Sequence, residues 1–347
     1  MTARPAEPGR ISLALQGGGS HGAFEWGVIE RLLEEDGIEI GAVTAASAGA
    51  MNAAALASGL ATGGREGAKA TLAKFWRAVS NADSRNGTVF GDSGVWTSMM
   101  QPDWLKQTPA WRWAESFGQT FSPYEFNPFN LNPMREVLEK TIDIAAIRDH
   151  CPIRLYVAAT GVRTGKARIF ERETLTVDQL LASSCLPTLF HAVEIEGEPY
   201  WDGGYLANPP LWPLFYADTP DDILLVSLNP FERKETPKSP AEIMDRLNEI
   251  TFNAALSAEL RAVAFVQKLL DEGLLKDTAR GRYRRMHMHA ITADGHLTDL
   301  TMASKFTTDW TFLTGLRDRG RKAADAWLET NLKHVGVESS VDLKAYL

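Results

Sequence analysis

Ser47 is the first residue whose type and setting could do chemistry, because it stands alone among very small neighbours. Residues 41–45 are typical of a buried strand, and the residues from Ala48 onward are typical of a helix. A serine at a sharp turn between strand and helix has the arrangement of a nucleophile elbow, which presents its hydroxyl at the helix N-terminus. Ala45 and Gly49 occupy the positions where an elbow needs small residues. Taken alone, the pattern fits an ordinary alanine-rich junction equally well.

A glycine-rich loop follows the first predicted strand, residues 11–15. It consists of Gly17, Gly18, Gly19, Ser20, His21 and Gly22. Backbone N–H groups at a helix N-terminus can gather around a developing negative oxygen, so this loop is a candidate oxyanion hole. The glycine spacing also fits a dinucleotide-binding fingerprint, which needs an acidic residue at the end of the second strand. That strand ends in Thr-Ala-Ala-Ser, and we therefore expect no nicotinamide or flavin cofactor.

Asp202 is the third candidate, at the end of a later predicted strand. It precedes Gly203 and Gly204, whose bare backbone lets another segment approach closely. In isolation, an Asp-Gly-Gly sequence fits a turn on any loop. Together with Ser47 and the glycine loop, we interpret Asp202 as a catalytic residue.

The elements that must position these residues alternate between strands and helices. The first sixty residues predict strand, glycine loop, helix, strand, elbow and helix, which is how a parallel doubly wound sheet begins. In the first helix, Phe24, Val28 and Leu32 recur at helical spacing, and Glu25 is expected on the opposite, polar face.

Later elements extend this pattern. Further strands are predicted at residues 153–159, 191–195, 198–201, 223–228 and 284–291, and further helices at residues 69–79, 134–140, 177–184, from 240 onward, and 309–332. We expect strand 223–228 to be the last strand of the sheet. The predicted fold is a three-layer α/β/α arrangement with a mainly parallel sheet and a helical C-terminal extension packed on it.

The bulk composition is that of a globular protein, with 44% hydrophobic and 23% charged residues among 347. A net charge of -8 and a pI near 5.5 argue against nucleic acid as the main partner. Two cysteines, Cys151 and Cys185, fit a reducing compartment. No apolar stretch approaches the ~20 residues that span a bilayer. We therefore expect a soluble, cytoplasmic protein that could touch membranes at their surface.

In order and spacing, these motifs resemble those of the patatin-like phospholipases. That family combines a Gly-Gly-Gly-x-Arg/Lys-Gly loop, a Gly-x-Ser-x-Gly elbow and an Asp-Gly-Gly or Asp-Gly-Ala box, which correspond here to residues 17–22, 45–49 and 202–204. Residues 182–187 form a further block typical of the family. The resemblance covers roughly residues 11–228. Two positions depart from it: Ala45 replaces the first elbow glycine, and His21 replaces the usual arginine or lysine.

The resemblance implies a serine lipid acyl hydrolase with a Ser–Asp dyad. Ser47 would be the nucleophile, Asp202 the general base and residues 17–22 the oxyanion hole. It implies no metal and no organic cofactor. Because a histidine is often uncharged near neutral pH, His21 favours a neutral acyl ester over a phosphate-bearing lipid as substrate.

The resemblance implies that residues 11–230 form the acyl hydrolase domain. Residues 239–347 match no signature of the family and are expected to form a mainly helical C-terminal extension, whose long helix from residue 240 could serve a homodimer or pack on the sheet. Residues 81–132, rich in aromatics and loop breakers, would form a lid that lines an acyl groove, or would simply pack a small subdomain. Five basic residues could contact anionic lipid or form a solvated face. They are Lys276, Arg280, Arg282, Arg284 and Arg285.

Two other functions fit parts of the sequence. A Ser-His-Asp α/β-hydrolase would take its histidine from the residues after the acid. The candidates are His287, His289, His296 and His334. Alternatively, the chain could be a lipid-binding protein with a decayed catalytic site, which the departures at Ala45 and His21 would explain.

Overall fold

A computed structural model describes residues 8–86, 122–274, 283–297, 300 and 302–343. Within these residues a mixed sheet of eight strands carries helices on both faces. The strands are β1 (Gly9–Leu15), β2 (Ile38–Ala46), β3 (Arg154–Gly161), β4 (Ala167–Glu171), β5 (Val193–Ile195), β6 (Glu198–Asp202), β7 (Asp222–Ser227) and β8 (His287–Thr292).

The helices surround this sheet. They are α1 (Gly22–Leu33), α2 (Ala48–Asn86), α3 (Pro123–Phe126), α4 (Pro133–Thr141), α5 (Ile144–His150), α6 (Val177–Ser183), α7 (Trp212–Tyr216), α8 (Pro240–Asp271) and α9 (Trp310–Asn331). Helix α2 is interrupted at Gly63 and Gly64, whose backbone is not helical. Short 3-10 turns include Gly19–His21, Gly203–Tyr205 and Met302–Phe306. No helix of the described ranges is both long and apolar enough to cross a membrane.

The strand order is β5-β6-β3-β2-β1-β7-β8, and β4 also pairs with β3. Strands β3, β2, β1, β7 and β8 run parallel to one another, whereas β4 and β6 run antiparallel to β3. This confirms the predicted α/β class with its mainly parallel sheet. The expectation that residues 223–228 form the last strand is wrong, because β8 pairs along the outer edge of β7. The predicted strand at 284–291 is confirmed as β8.

Both faces of the sheet are covered, which explains why its central strands read as nearly continuous apolar runs. In β1, Leu13 and Leu15 pack into the core that includes α1, α2 and α9, while Ala14 packs into the core that includes α7 and α8. Residues of β7 alternate between the same two cores. The period of two along each strand therefore places helices on opposite faces.

The direction of the strands brings the three sequence motifs to one edge. The glycine loop follows β1 and Ser47 follows β2, and the C-terminal ends of parallel strands lie at the same edge. Strand β6 arrives from the opposite direction and ends at Asp202, which lies opposite Ala159 near the end of β3. The division of the chain near residue 230 stays a prediction, since β8 joins the same sheet as the N-terminal strands.

Candidate active site

Ser47 occupies a strained turn between β2 and α2. Its φ is 55°, a left-handed conformation that L-residues other than glycine seldom adopt. Its N–H donates to the backbone oxygen of Ser183 at 3.1 Å and to the Ser183 hydroxyl at 3.0 Å. A Cβ on Gly49 would lie 2.5 Å from the Leu15 oxygen, so the turn has no room for a larger residue there. The strand, turn and helix predicted around Ser47 are confirmed.

Ala45 lies in β2 and its methyl group is completely buried in the hydrophobic core. It pairs with Leu15 on one side and Val157 on the other in the parallel ladder. The methyl group that replaces the usual glycine hydrogen therefore packs against core residues, and the tight turn begins after it.

Asp202 and Ser47 are in direct contact. The Ser47 Oγ donates to the Asp202 Oδ2 at 2.7 Å, and the Asp202 Oδ1 accepts the Gly204 N–H at 2.7 Å. Asp202 is fully buried, and this burial raises its pKa to about 6, although the hydrogen bonds from Ser47 and Gly204 oppose the shift. At neutral pH the carboxylate is therefore ionised and can accept a proton from the serine hydroxyl.

Residues 182–187 connect the two members of this pair. Ser183 accepts the Ser47 N–H, and two residues later the Cys185 oxygen accepts the Asp202 N–H at 2.8 Å. The Cys185 thiol itself donates to the His191 oxygen, and burial raises the pKa of Cys185 to about 12. The cysteine beside the site is therefore a packing residue and not a thiolate nucleophile.

The N–H groups of the glycine loop differ in whether they already have a hydrogen-bond acceptor. The Gly17 N–H donates to the Asn208 Oδ1 at 2.6 Å, and the Gly17 oxygen accepts the Asn229 side-chain amide at 3.2 Å. The N–H groups of Gly18 and Gly19 have no acceptor within the described part of the chain. Both residues line the cavity next to Ser47, which makes their N–H groups candidates to bind a ligand oxygen.

His21 is turned away from this cavity. Its side chain is buried, and its Nε2 lies 2.7 Å from the Ser304 Oγ. Gly22 begins α1. Of the six loop residues predicted as the oxyanion hole, Gly17, Gly18, Gly19 and Ser20 line the cavity.

Buried amides that sequence reasoning missed hold the loop in place. The Gln16 Oε1 accepts the N–H groups of Leu228 and Asn229 at 2.7 and 2.8 Å, and its Nε2 donates to Asn253 at 2.8 Å. Asn208 accepts the Gly17 N–H, and Asn229 donates to the Gly17 oxygen. Both asparagines precede a proline near a strand end, and this shared Asn-Pro pattern is the signal that could have identified them.

A second missed amide, Asn52, joins α1 to α2 behind the site. Its Nδ2 donates to the Gly22 oxygen at 2.8 Å and to Glu25 at 3.0 Å, and its Oδ1 accepts the Trp76 indole N–H at 2.9 Å. Glu25 is fully buried, so its predicted position on the polar face of α1 is wrong. Burial raises the pKa of Glu25 well above its ordinary value.

A cavity of about 290 Å³ opens beside Ser47 and Asp202. Its apolar wall comes from α2, α4 and residues 186–190. The apolar lining side chains are Met51, Phe75, Trp76, Val79, Met134, Val137, Leu186, Leu189 and Phe190. The glycine loop, α8 and the C-terminal region also line the cavity, with the polar residues Asn248, Lys305 and Thr308 and the aromatic residues Phe252 and Phe306. A mainly apolar cavity with a few polar groups suits a hydrocarbon chain that carries a polar group.

The histidines considered for a triad lie elsewhere. His287 pairs in register with Asp222 at the beginning of β7, at the sheet edge opposite Ser47. His289 lies 3.0 Å from the same aspartate, His334 bonds Glu338, and His296 packs against Phe24. None of the four belongs to the cavity lining within the described residues.

Two predicted surface features are only partly described. The aromatic segment at 81–132 falls mostly outside the described residues, which resume at Ser122. Within the described part, Tyr124 stacks on His191 with ring centroids 4.1 Å apart. In the basic cluster, Arg284 pairs with Asp221 at 2.9 Å and Arg285 pairs with Asp271. Lys276, Arg280 and Arg282 lie outside the described ranges.

Comparison with known proteins gives one family. A family model described as patatin-like phospholipase matches residues 13–215. No curated protein sequence matches significantly. Among solved structures, the chain is similar to VipD from Legionella pneumophila, at 16% identity and a TM-score of 0.40, over 92% of this chain and 67% of VipD. It is also similar to ExoU–SpcU from the type III secretion system of Pseudomonas aeruginosa, at 18% identity and a TM-score of 0.33. That match covers 93% of this chain but only 60% of the other.

Proposed function

Because the chain belongs to the patatin-like phospholipase family, we propose that it is a serine lipid acyl hydrolase in which Ser47 and Asp202 form a catalytic dyad. The observation that carries this proposal is the 2.7 Å hydrogen bond from the Ser47 hydroxyl to the buried Asp202 carboxylate, beside an apolar cavity. The proposed reaction is hydrolysis of a carboxylic ester of a lipid through an acyl-enzyme.

In the first half of the reaction, the Ser47 Oγ attacks the ester carbonyl carbon while its proton passes to the Asp202 Oδ2. The carbonyl oxygen becomes an oxyanion, and the tetrahedral intermediate collapses as the C–O bond to the alcohol breaks. The protonated Asp202 then returns its proton to the departing alkoxide oxygen. The products of this step are a free alcohol and a Ser47 acyl ester.

In the second half, water attacks the acyl ester and Asp202 accepts one of its protons. Collapse of the second tetrahedral intermediate releases the fatty acid, and the proton on Asp202 returns to the Ser47 oxygen. The side chain thus alternates between base and acid, and its pKa of about 6 suits both roles near neutral pH.

The oxyanion would be held by the N–H groups of Gly18 and Gly19. Both residues line the cavity, and both N–H groups have no acceptor within the described residues. Gly17 is excluded as a donor since its N–H already bonds Asn208. In a water-poor site, two preorganised donors supply the largest share of transition-state stabilisation.

The apolar wall would bind the acyl chain. Phe75, Trp76 and Val79 from α2 and Met134 and Val137 from α4 all line the cavity. A hydrocarbon chain packed against these side chains would leave its ester group beside Ser47. The head group would then lie near the polar lining residues Asn248, Lys305 and Thr308.

The rival functions have less support. A Ser-His-Asp enzyme needs a histidine beside Ser47, and the candidates at β8 lie at the opposite sheet edge. A decayed site would be expected to lose the hydrogen bond between Ser47 and Asp202, which is present. The family match supports a hydrolase over a dinucleotide-binding protein.

The test is hydrolysis of neutral esters, lysophospholipids and diacyl phospholipids side by side, with the wild type and Ser47→Ala. We expect turnover of at least one class by the wild type and none by the variant. Ser184→Ala is the matched control, since Ser184 lines the same cavity but bonds only backbone oxygens of α6. Equal activity of Ser47→Ala and wild type would overturn the proposal.

A further inference from the structure

Lys305 brings a positive charge to the cavity from the C-terminal part of the chain. It belongs to the 3-10 turn Met302–Phe306, and it and Asp202 are the only charged side chains among the described lining residues. Its Nζ donates to the Asn229 Oδ1 at 2.7 Å. Within the described residues no carboxylate lies at ion-pair distance from it.

The charged groups around this ammonium come from several elements. Asp245 and Glu249 of α8 favour its charged form, while Arg233, in the loop after β7, opposes it. Glu249 is already bonded to Arg233 and Arg246. Burial dominates, and it lowers the pKa of Lys305 to about 8. On the glycine loop the facing titratable residue is His21, which bonds the neighbouring Ser304.

A chain of two hydrogen bonds leads from Lys305 to the glycine loop. The ammonium donates to the Asn229 Oδ1, and the Asn229 Nδ2 donates to the Gly17 oxygen at 3.2 Å. That oxygen belongs to the peptide group whose N–H is that of Gly18. A charge-assisted donor at one end of such a chain polarises every later bond in it, so the Gly18 N–H becomes a stronger donor.

The backbone of Lys305 also supports the loop directly. A Cβ on Gly19 would lie 2.4 Å from the Lys305 oxygen, and Gly19 has a φ of +59°. The loop therefore rests against the turn that carries the lysine. Neither Asn229 nor Lys305 lies within residues 13–215, the part matched by the family model.

We propose that Lys305 is a positioning residue of the active site, which acts through Asn229 to hold and polarise the Gly17–Gly18 peptide group toward the oxyanion. The inference rests on the proposed hydrolase function. It assigns to the C-terminal region a direct part in preparing the oxyanion hole.

The decisive variant is Lys305→Met, which keeps the length of the side chain and removes its charge. With a neutral ester as substrate, we expect kcat to fall roughly tenfold with KM unchanged, less than the roughly 10²- to 10³-fold loss for a missing oxyanion donor. The pH profile separates this role from a structural one. Wild-type kcat/KM should fall as pH rises through about 8, because Lys305 loses its proton there, and Lys305→Met should lack this alkaline limb.

Three further variants sharpen the test. Lys305→Arg keeps the charge and should retain most of kcat, but without the limb near pH 8, because arginine stays protonated. Asn229→Leu breaks the relay while leaving the ammonium, and should match Lys305→Met. The double variant should be scarcely worse than either single one. Lys333→Met, at an exposed lysine beyond α9, is the control for charge removal and should behave as wild type.

Several outcomes would overturn the proposal. One is a Lys305→Met enzyme with wild-type kcat and an intact alkaline limb. Another is an effect confined to a raised KM for a phosphate-bearing lipid, which would mean that the ammonium contacts the substrate instead. If Lys305→Met does not fold, Asn229→Leu takes its place in the test. A wild-type kcat and an intact alkaline limb in Asn229→Leu would then overturn the proposal. Loss of activity in Ser47→Ala tests the hydrolase function separately, so the two proposals can fail independently.

Discussion

The Ser47 hydroxyl donates to the Asp202 carboxylate across 2.7 Å, although 155 residues separate the two along the chain. Main-chain bonds to Ser183, at the end of α6, and to Cys185, two residues later, fix Ser47 and Asp202 from one short segment. Because the contact is direct, no third residue is needed to pass the proton. The following predictions start from this relationship.

The dyad should behave as one unit. Ser47→Ala and Asp202→Asn should each lower kcat by at least about a thousandfold, since either change stops proton transfer from the nucleophile. The double variant should be scarcely less active than either single one. Steady-state kinetics on a short-chain ester measures this, and circular dichroism checks the fold. Losses that multiply in the double variant would show that the two residues act independently.

Activity should fall on the acid side of pH 6. Burial raises the pKa of Asp202 to about 6, and the protonated carboxyl cannot accept the Ser47 proton. Below that pH, kcat/KM should therefore fall about tenfold per pH unit, so long as the protein stays folded. A profile of kcat/KM from pH 4.5 to 8 measures the limb. An acid limb near pH 4, the ordinary range of an exposed aspartate, would contradict it.

Asp202 should also lower the stability of the fold at neutral pH. Its pKa in the folded state lies above the ordinary value of an aspartate, so folding favours the protonated form and becomes less favourable as pH rises from about 4 to 6. A shift of this size corresponds to roughly 3 kcal/mol. Asp202→Asn should therefore raise Tm at pH 7 and 8.

Below about pH 4 this gain should vanish, because the aspartate is then protonated in both the folded and the unfolded state. Thermal unfolding of both proteins at pH 4 and pH 8 measures the difference. Ser184→Ala, which keeps both Asp202 and its hydrogen-bond partners, is the control. A Tm difference that does not change between the two pH values would contradict this account.

The apolar wall should limit the length of the acyl chain. Met134 lines the cavity from α4, so Met134→Trp should reduce kcat/KM for long-chain esters more than for short-chain esters. Glu139→Trp, on the exposed face of the same helix, is the control and should leave the ratio unchanged. Rates for esters of increasing chain length test this. Equal losses at all lengths would mean that the acyl chain binds elsewhere.

The histidines should matter for stability and not for the chemical step. His289 is fully buried and bonds Asp222 and Ser340, so His289→Ala should lower Tm. The folded fraction of His289→Ala should retain activity. Alanine variants of His287, His296 and His334, changed one at a time, should likewise retain activity. Active-site titration counts the folded, competent enzyme. A folded variant at any of these positions as inactive as Ser47→Ala would favour a Ser-His-Asp mechanism.

Local sequence was sufficient to predict the elements around the site. The elbow at Ser47 depends on residues within one turn, because the strained φ and the contact of Gly49 with Leu15 both require small side chains nearby. Nearly continuous apolar runs likewise predict the buried strands, since both faces of the sheet are covered. Glu25 shows where this reasoning fails. A charged residue on a helix is normally predicted to face solvent. Glu25 is nevertheless buried within α1, where Asn52 donates a hydrogen bond to it.

Only the tertiary structure decided how the loop is held and what surrounds the nucleophile. A hydrogen bond from Asn229 to Gly17 exists because β7 lies beside β1, and that neighbour relationship follows from packing of the whole sheet. Lys305 reaches Asn229 because a turn more than seventy residues further on folds back over the glycine loop. No local pattern encodes either contact, since an amide or an ammonium takes its partner from whichever strand end or loop the packing brings within 3 Å.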